Sequence, residues 1–465
     1  MKVLEMVHGI IWGPWTVGVF LVVGLVLSVR CRFFQIRGFR YWWKATAGSL
    51  WGEEREGDES TGAAGAHHGI TQFQSVCTAL AATVGTGNIA GVAAALVSGG
   101  PGAVFWMWIS ALIGMATAYG ETYLGVRYRF KNNRGKWICG PFVYMKKGLG
   151  IPFMAACYSF FCFLCALGMG SMVQANSAAE TLEFTWGIPS VLGSGILALL
   201  TGAVILGGIK RIGKAAEYLL PLASGIYILF SLLVLLLCAD RIPDAFLRIF
   251  QSAFGIRQVS GGIAGFGISK SIRYGISRGV FSNEAGLGTL AVLHGPAEHT
   301  TPEEQGMWAM FEVFFDTIVS CTLTALVILC VAGRGAASES GAENGASLTS
   351  LCFFTALGSP GGYLVAVCVV LFAFSTIIAW YYMGRQAAEY LGGKISGRIP
   401  AIYTAGYLLA AFLGCLGAME TVWQVTDIFN GLMAVPNLAA LVLLVGEIDA
   451  PGEKERDTGK RETAE

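Results

Sequence analysis

Between Gly69 and Gly120 the chain carries no Asp, Glu, Lys or Arg. A water-soluble domain cannot cover its surface with so long an uncharged stretch, so an ordinary soluble fold is excluded. Charge is scarce elsewhere too, at 13% of 465 residues against 54% hydrophobic, and the apolar runs exceed the ~20 residues that a spanning helix needs. Basic stripes with interleaved aromatics are missing, so nucleic acid is not indicated as a partner. The five histidines have no metal-ligand spacing, and His67–His68 reads as a solvated loop pair. No HExxH pattern and no converging nucleophile and base argue for an enzyme or a bound cofactor. The apolar run Val7–Val29 lacks a basic leader and a small-residue cleavage site, and reads as a first true span. Twelve cysteines lie scattered in apolar segments, as suits reduced packing thiols. The CxxC at Cys162–Cys165 has no His or carboxylate nearby to make it a metal site.

What is present predicts an all-α integral membrane protein of eleven spans: 8–30, 70–97, 102–126, 152–179, 188–208, 216–238, 259–292 (broken), 306–332, 361–384, 400–419 and 423–446. Residues 1–446 read as one transmembrane domain. Residues 447–465, mixed in charge and unable to bury a core, read as a disordered cytoplasmic tail. Polar connections run from Arg30 to Gly69 and from Gly333 to Ser350. With the N-terminus outside and the C-terminus in the cytoplasm, 26 of the 31 Lys and Arg face the cytoplasm. The positive-inside rule predicts that orientation, in a cell membrane.

The segment "AATVGTGNIAGV" places Gly85, Thr86, Gly87 and Asn88 inside the second span. Glycine in a helix costs about 1 kcal/mol relative to alanine, and a buried Asn needs partners. Gly87 to Gly91 is a GxxxG packing pattern, and packing alone accounts for that pair. Thr83, Thr86 and Asn88 favour a local unwinding that a lined cavity permits and lipid forbids. A second Gly-interrupted stretch, "VSGGIAGFGI" with Gly265, Phe266 and Gly267, precedes Lys270, Arg273 and Arg278. Setting aside the helix at 8–30 leaves ten spans, five in each of two repeats (about 70–238 and 259–446), each led by a broken segment. That is the pattern of an inverted-repeat transporter. Half-helix N-termini suit a substrate carboxylate, and exposed carbonyls with hydroxyls suit a small hard cation. Ser375 and Thr376 in "FAFSTIIAWYYMG" are candidate hydroxyls, with back-bonding within their own helix an equal alternative.

These residues resemble the alanine or glycine:cation symporter family, within the amino acid-polyamine-organocation superfamily. The most specific element is "GGPGAVFWMWISALIG" (Gly99 to Gly114), with "ATVGTGNIAGVA", "VQANS", "GGIKRIGK", "RYGISRGVFSNEAGLG", "FAFSTIIAWYYMG" and "DIFNGLMAVPNLAAL" also similar. The resemblance covers nearly the whole chain up to about Gly446. It implies a five-plus-five core as in leucine-type sodium-coupled transporters, and symport of a small neutral amino acid with Na⁺. On that mapping the Na⁺ shell uses Ala81, Val84, Asn88, Phe372, Ser375 and Thr376. Substrate contacts fall to Gln74, Gly85, Thr86, Gly87, Gln174, Gly265, Phe266, Gly267, Thr376 and Trp380. Arg278 and Glu284 are expected to pair as a cytoplasmic gate. Glu121 is expected at the interface, paired near Arg127 and Arg129. Coupling to H⁺ at Asp316 or Glu121 is the alternative within the same class. Ser171, "CGPFVYM" and Lys270 depart from the family pattern and leave substrate choice open.

Overall fold

Lipid offers the backbone no hydrogen-bond partner, so segments filled with apolar residues must close their bonds internally as helices. The computed structural model describes residues 2–50, 69–133, 135–255, 261–332, 345–392, 399–415 and 419–452, which are mainly helical. In chain order the main helices are α1 (Lys2–Ile11), α2 (Pro14–Arg30), α3 (Gln72–Thr83), α4 (Gly87–Gly99), α5 (Gly102–Tyr128), α6 (Pro141–Lys147), α7 (Pro152–Trp186), α8 (Ser190–Ile205) and α9 (Gly208–Leu237). They continue as α10 (Ile242–Ala253), α11 (Gly261–Asn283), α12 (Thr289–His294), α13 (Pro302–Ala332), α14 (Ala346–Leu357), α15 (Ser359–Gly392), α16 (Ile399–Leu413) and α17 (Met419–Leu443). A short antiparallel pair, β1 (Phe130–Lys131) and β2 (Trp137–Ile138), follows α5 with Phe130 opposite Ile138.

Among the described residues each expected span contains helix. Length and hydropathy alone qualify seven helices as spans among the described residues, or eight when the bent pair α3–α4 counts as one. α8 and α16 are shorter than the ~20 residues that cross a bilayer. Three of these helices, short α6 among them, sit where the sequence pointed to connections. α10 buries Ala245, Ile249 and Ala253 at four-residue spacing, an amphipathic stripe too short to read as a span. α14 likewise buries Leu348, Cys352 and Phe353.

Capping boxes start two helices: Thr71 with Gln74 at α3, and Thr301 with Glu304 at α13, where Pro302 takes the first turn. Helices α4, α7 and α13 each contain a widened π stretch, at Gly87–Gly91, Gly168–Val173 and Phe314–Cys321. Packing divides the bundle. α5 lies along α11 and α13, while α7 lies along α15 and α17, and α9 bridges α3 and α15. All twelve cysteines are free thiols.

The expected tail begins later than Glu447. Ile448 is fully buried, Arg127 donates to the Glu447 carbonyl, and Tyr123 donates to Asp449 Oδ2 at 2.7 Å. Residues 447–452 thus dock on α5 and, through Gly452 N to Glu303, on α13. Buried Ile448 and Ala450, set among charges, help to anchor them, a signal that average composition hides. Residues 453–465 of the expected tail lie outside the described residues.

Candidate functional site

The chain bends by 43° between α3 and α4, at Val84, Gly85 and Thr86. Val84 leaves the helix with ψ 92°, and Asn88 reaches back so that its Oδ1 accepts from Gly85 N at 2.9 Å. Its Nδ2 donates to Asp316 Oδ1 at 2.6 Å and to the Asp316 carbonyl at 3.1 Å. Thr317 donates to Asp316 Oδ2 at 2.8 Å, and Asn283 Nδ2 donates to Thr317 Oγ1 at 3.0 Å. Asn283 Oδ1 in turn accepts from Ala285 N at 3.1 Å. A continuous buried chain of polar side chains therefore joins this break to a second one.

The second break is not at the glycines the sequence pointed to. α11 runs unbroken through Gly265, Phe266 and Gly267, and the chain leaves the helix only after Asn283. Positive φ angles at Glu284 (56°), Gly286 (91°) and Gly288 (80°) then turn it into α12. The side-chain surroundings of Gly265 and Phe266 lie outside the described residues. Gly275 and Gly279 in α11 serve close packing: a Cβ on Gly275 would stand 2.4 Å from the Ala103 carbonyl, and one on Gly279 2.3 Å from Ser110 Oγ. Gly275, Ser277 and Gly279 share the Gly-x-Ser-x-Gly spacing of a hydrolase elbow but lie inside this helix, without the strand-to-helix turn such an elbow needs.

Around the first break the structure brings together Ala81, Val84 and Thr376 of the six residues expected to hold a cation, with Ser375 and Phe372 next to Thr376 on α15. Thr376 donates to the Ala81 carbonyl at 2.8 Å, whereas Ser375 donates to the Phe372 carbonyl three residues earlier at 2.8 Å, the back-bonding within its own helix that the sequence left as an equal alternative. Val84 follows Ala81 into the bend. Asn88 stands apart, with its carboxamide engaged by Gly85 and Asp316. Gly85 is needed for this approach, since a Cβ there would come within 2.8 Å of Thr376 Oγ1. Thr86 donates to Gln174 Oε1 at 2.8 Å, which puts Gln174 beside the break. Trp380 is fully buried and packs against Gly170, where a Cβ would stand 2.4 Å from its own.

Gln74 does not join this group. It caps α3 about three turns away, roughly 16 Å along a helix from Gly85, and donates to Glu217 Oε2 at 3.0 Å. The aromatic neighbour that the sequence missed is Phe281, 3.8 Å from where a Cβ of Gly87 would lie, beside Ser282.

The Arg278–Glu284 pair does not form either. Glu284 accepts from Trp380 Nε1 at 3.1 Å. Arg278 sits one and a half turns earlier on α11 and faces Asp427 at 3.9 Å, and His8 faces the same Asp427 oxygen at 3.3 Å. Arg273, Arg278, His8 and Asp427 line one cavity of about 580 Å³. Arg273 and Arg278 thus lie at the same end of the bundle as His8, the end opposite to that expected for them. The unbroken α11 causes this, because it keeps them in the first half of the crossing. Glu121 is likewise no surface ion pair. It is fully buried and accepts from Gly286 N, Gly288 N and Asn437 Nδ2, while Arg127 pairs with Glu447 at 3.4 Å.

The sequence pattern of the sodium:alanine symporter family matches residues 1–455. The sodium/alanine symporter AgcS of Methanococcus maripaludis is 40% identical over 96% of this chain and 95% of its own. The probable sodium/glutamine symporter GlnT of Bacillus subtilis is 33% identical, over 95% of this chain and 89% of its own. Among solved structures, MhsT in complex with L-phenylalanine superposes with a TM-score of 0.59 at 14% identity, over 82% of this chain and 90% of that one. That likeness is one of fold.

Proposed function

Since the chain belongs to the sodium:alanine symporter family, we propose that it carries a small neutral amino acid, alanine or glycine, into the cell with Na⁺, by exposing one site alternately to each side. Membership makes it a membrane transporter, not an enzyme, and a sodium-coupled amino-acid symporter. The observation that carries the finer reading is the meeting of Thr376 with Ala81 at the first break. There the carbonyls of Ala81 and Phe372 and the hydroxyls of Ser375 and Thr376 offer the all-oxygen set that a small hard cation prefers. Beside it begins α4, whose N-terminal dipole favours a carboxylate. Asn88 already takes the Gly85 amide, so the substrate carboxylate falls to the amides of Thr86 and Gly87. Bulky Trp380, beside Gly170, and Phe281, beside Gly87, support a small side chain in the substrate.

Uptake of labelled alanine, glycine and glutamine into proteoliposomes, with and without an inward Na⁺ gradient, tests this. Alanine or glycine is expected to accumulate only with the gradient, and preferred uptake of glutamine would overturn the substrate assignment. A second reading, coupling to H⁺, rests on Asp316, a buried carboxylate between the two breaks. Accumulation driven by a proton gradient without Na⁺ would favour it. The outside N-terminus and cytoplasmic C-terminus remain part of the proposal. Single cysteines at Lys2 and Glu465 should react with impermeant reagents from opposite faces, and reaction from one face would overturn it.

A further inference from the structure

The backbone of the second break is tied at several atoms, and the helices that tie it fall into two sets. Glu121 belongs to α5, which packs along α11, α12 and α13. Its Oε2 accepts from Gly286 N at 3.2 Å and Gly288 N at 3.0 Å. Ser75, on α3, donates to the Leu293 carbonyl of α12 at 2.9 Å. The other ties come from α7 and α17, which pack on each other and, through α7, on α15. The Tyr158 hydroxyl on α7 donates to the Leu287 carbonyl at 3.0 Å. Asn437 Nδ2 on α17 donates to the Gly286 carbonyl at 2.9 Å, and Asn437 is steadied by the Tyr144 hydroxyl of α6. Tyr158 and Asn437 are both fully buried.

We propose that Tyr158 and Asn437 form the cytoplasmic gate, as positioning residues that hold the broken segment against α7 and α17 while that side is shut. The inference rests on the alternating-exposure reading above. When the segment moves with α5 and α13, the bonds of Glu121 to Gly286 N and Gly288 N travel with it, while the Tyr158 bond and both Asn437 bonds, to the Gly286 carbonyl and to Glu121 Oε2 at 3.0 Å, break. Neutral donors suit this task, because parting them separates no ion pair, and Glu121 keeps its two backbone amides when Asn437 withdraws. Glycine at 288 fits the same purpose. A Cβ there would stand 2.8 Å from the Tyr158 hydroxyl and 2.3 Å from Pro141.

A native reporter spans the same seam. Cys139, between β2 and α6, places its Sγ 3.4 Å from the Val292 carbonyl of α12 and is fully buried. Burial pushes its thiol up to about 12, so it is unreactive while the seam is closed. The experiment uses the full chain with Cys139 as its single cysteine, in nanodiscs without Na⁺, and times alkylation by a maleimide. Tyr158→Phe should speed alkylation about fivefold, the population shift for one lost hydrogen bond, and Asn437→Ala, which loses its bonds to both the Gly286 carbonyl and Glu121, should speed it at least as much. Ser75→Ala, which removes a bond on the other side of the seam, should leave the rate unchanged. Equal rates in parent, Tyr158→Phe and Asn437→Ala would overturn the proposal, and so would an equal rise in Ser75→Ala. If Asn437→Ala fails to fold, Tyr158→Phe, which removes one oxygen atom, decides alone. Na⁺-driven uptake by the single-cysteine parent tests the transport reading separately, so failure of either is distinguishable.

Discussion

Thr376 donates its only hydroxyl proton to the Ala81 carbonyl, so two oxygens from helices far apart in sequence meet at the bend. If Na⁺ is held there, Thr376→Ala removes one ligand from a desolvated ion, at a cost of about 1–3 kcal/mol. The expected outcome is a rise of about fivefold or more in the Na⁺ concentration for half-maximal uptake, with expression unchanged. Linkage requires that amino-acid affinity fall at low Na⁺ and recover at high Na⁺. An unshifted Na⁺ activation curve would remove Thr376 from the cation site. Trp380 has two roles that can be separated, bulk against Gly170 and an N–H on Glu284. Trp380→Ala should admit leucine, since size discrimination in an apolar pocket is worth about 1–3 kcal/mol per methylene. Trp380→Phe keeps most of the bulk and loses the N–H, so it should still exclude leucine. Competition of unlabelled leucine against labelled alanine measures both.

The two breaks differ in how far they could be read from the sequence. The first was legible because Gly85, Thr86, Gly87 and Asn88 put polar and flexible residues into an otherwise uncharged span. The second was misplaced because glycine number at 261–267 outweighed "NEAGLG" at 283–288. A helix tolerates glycines where a neighbour comes close, as Gly275 and Gly279 do, whereas a break needs positive φ, which composition does not report. The contrast is testable. Gly288→Ala forces a side chain into φ 80° and against Pro141, and should cost about 1–3 kcal/mol and strongly reduce uptake. Gly267→Ala, inside α11, should leave uptake intact and be neutral or slightly stabilising. Thermal unfolding and uptake of the two variants, measured side by side, check this. The Asn88–Asp316 bond, 228 residues apart in sequence, had no local signal at all; only the cost of burying each group pointed to the need for some partner.

Across the whole molecule, apolar run length made most of the helices legible, and the five-plus-five division rested on counting eleven expected spans, where seven or eight qualify by length and hydropathy among the described residues. Amphipathic α10 and the docked residues 447–452 escaped, because neither is apolar enough on average to stand out. The docking predicts a sharp boundary for truncation. Ending the chain after Gly452 should leave thermal stability and uptake unchanged, while ending it after Gly446 removes buried Ile448, worth about 1.5–3 kcal/mol, and should lower the melting temperature. Equal melting temperatures would show that the docked residues contribute nothing. The three π stretches carry a consequence of another kind. Each absorbs about one residue more than a regular α-helix of the same rise, so deleting one residue from Phe314–Cys321 would leave a regular helix with Thr324 and everything after it on the same face relative to Asp316, whereas the same deletion in a regular stretch would turn them by about 100°. When related chains are aligned, a one-residue gap at these places marks a change of helix geometry, and residues on its far side should be matched by the face they occupy.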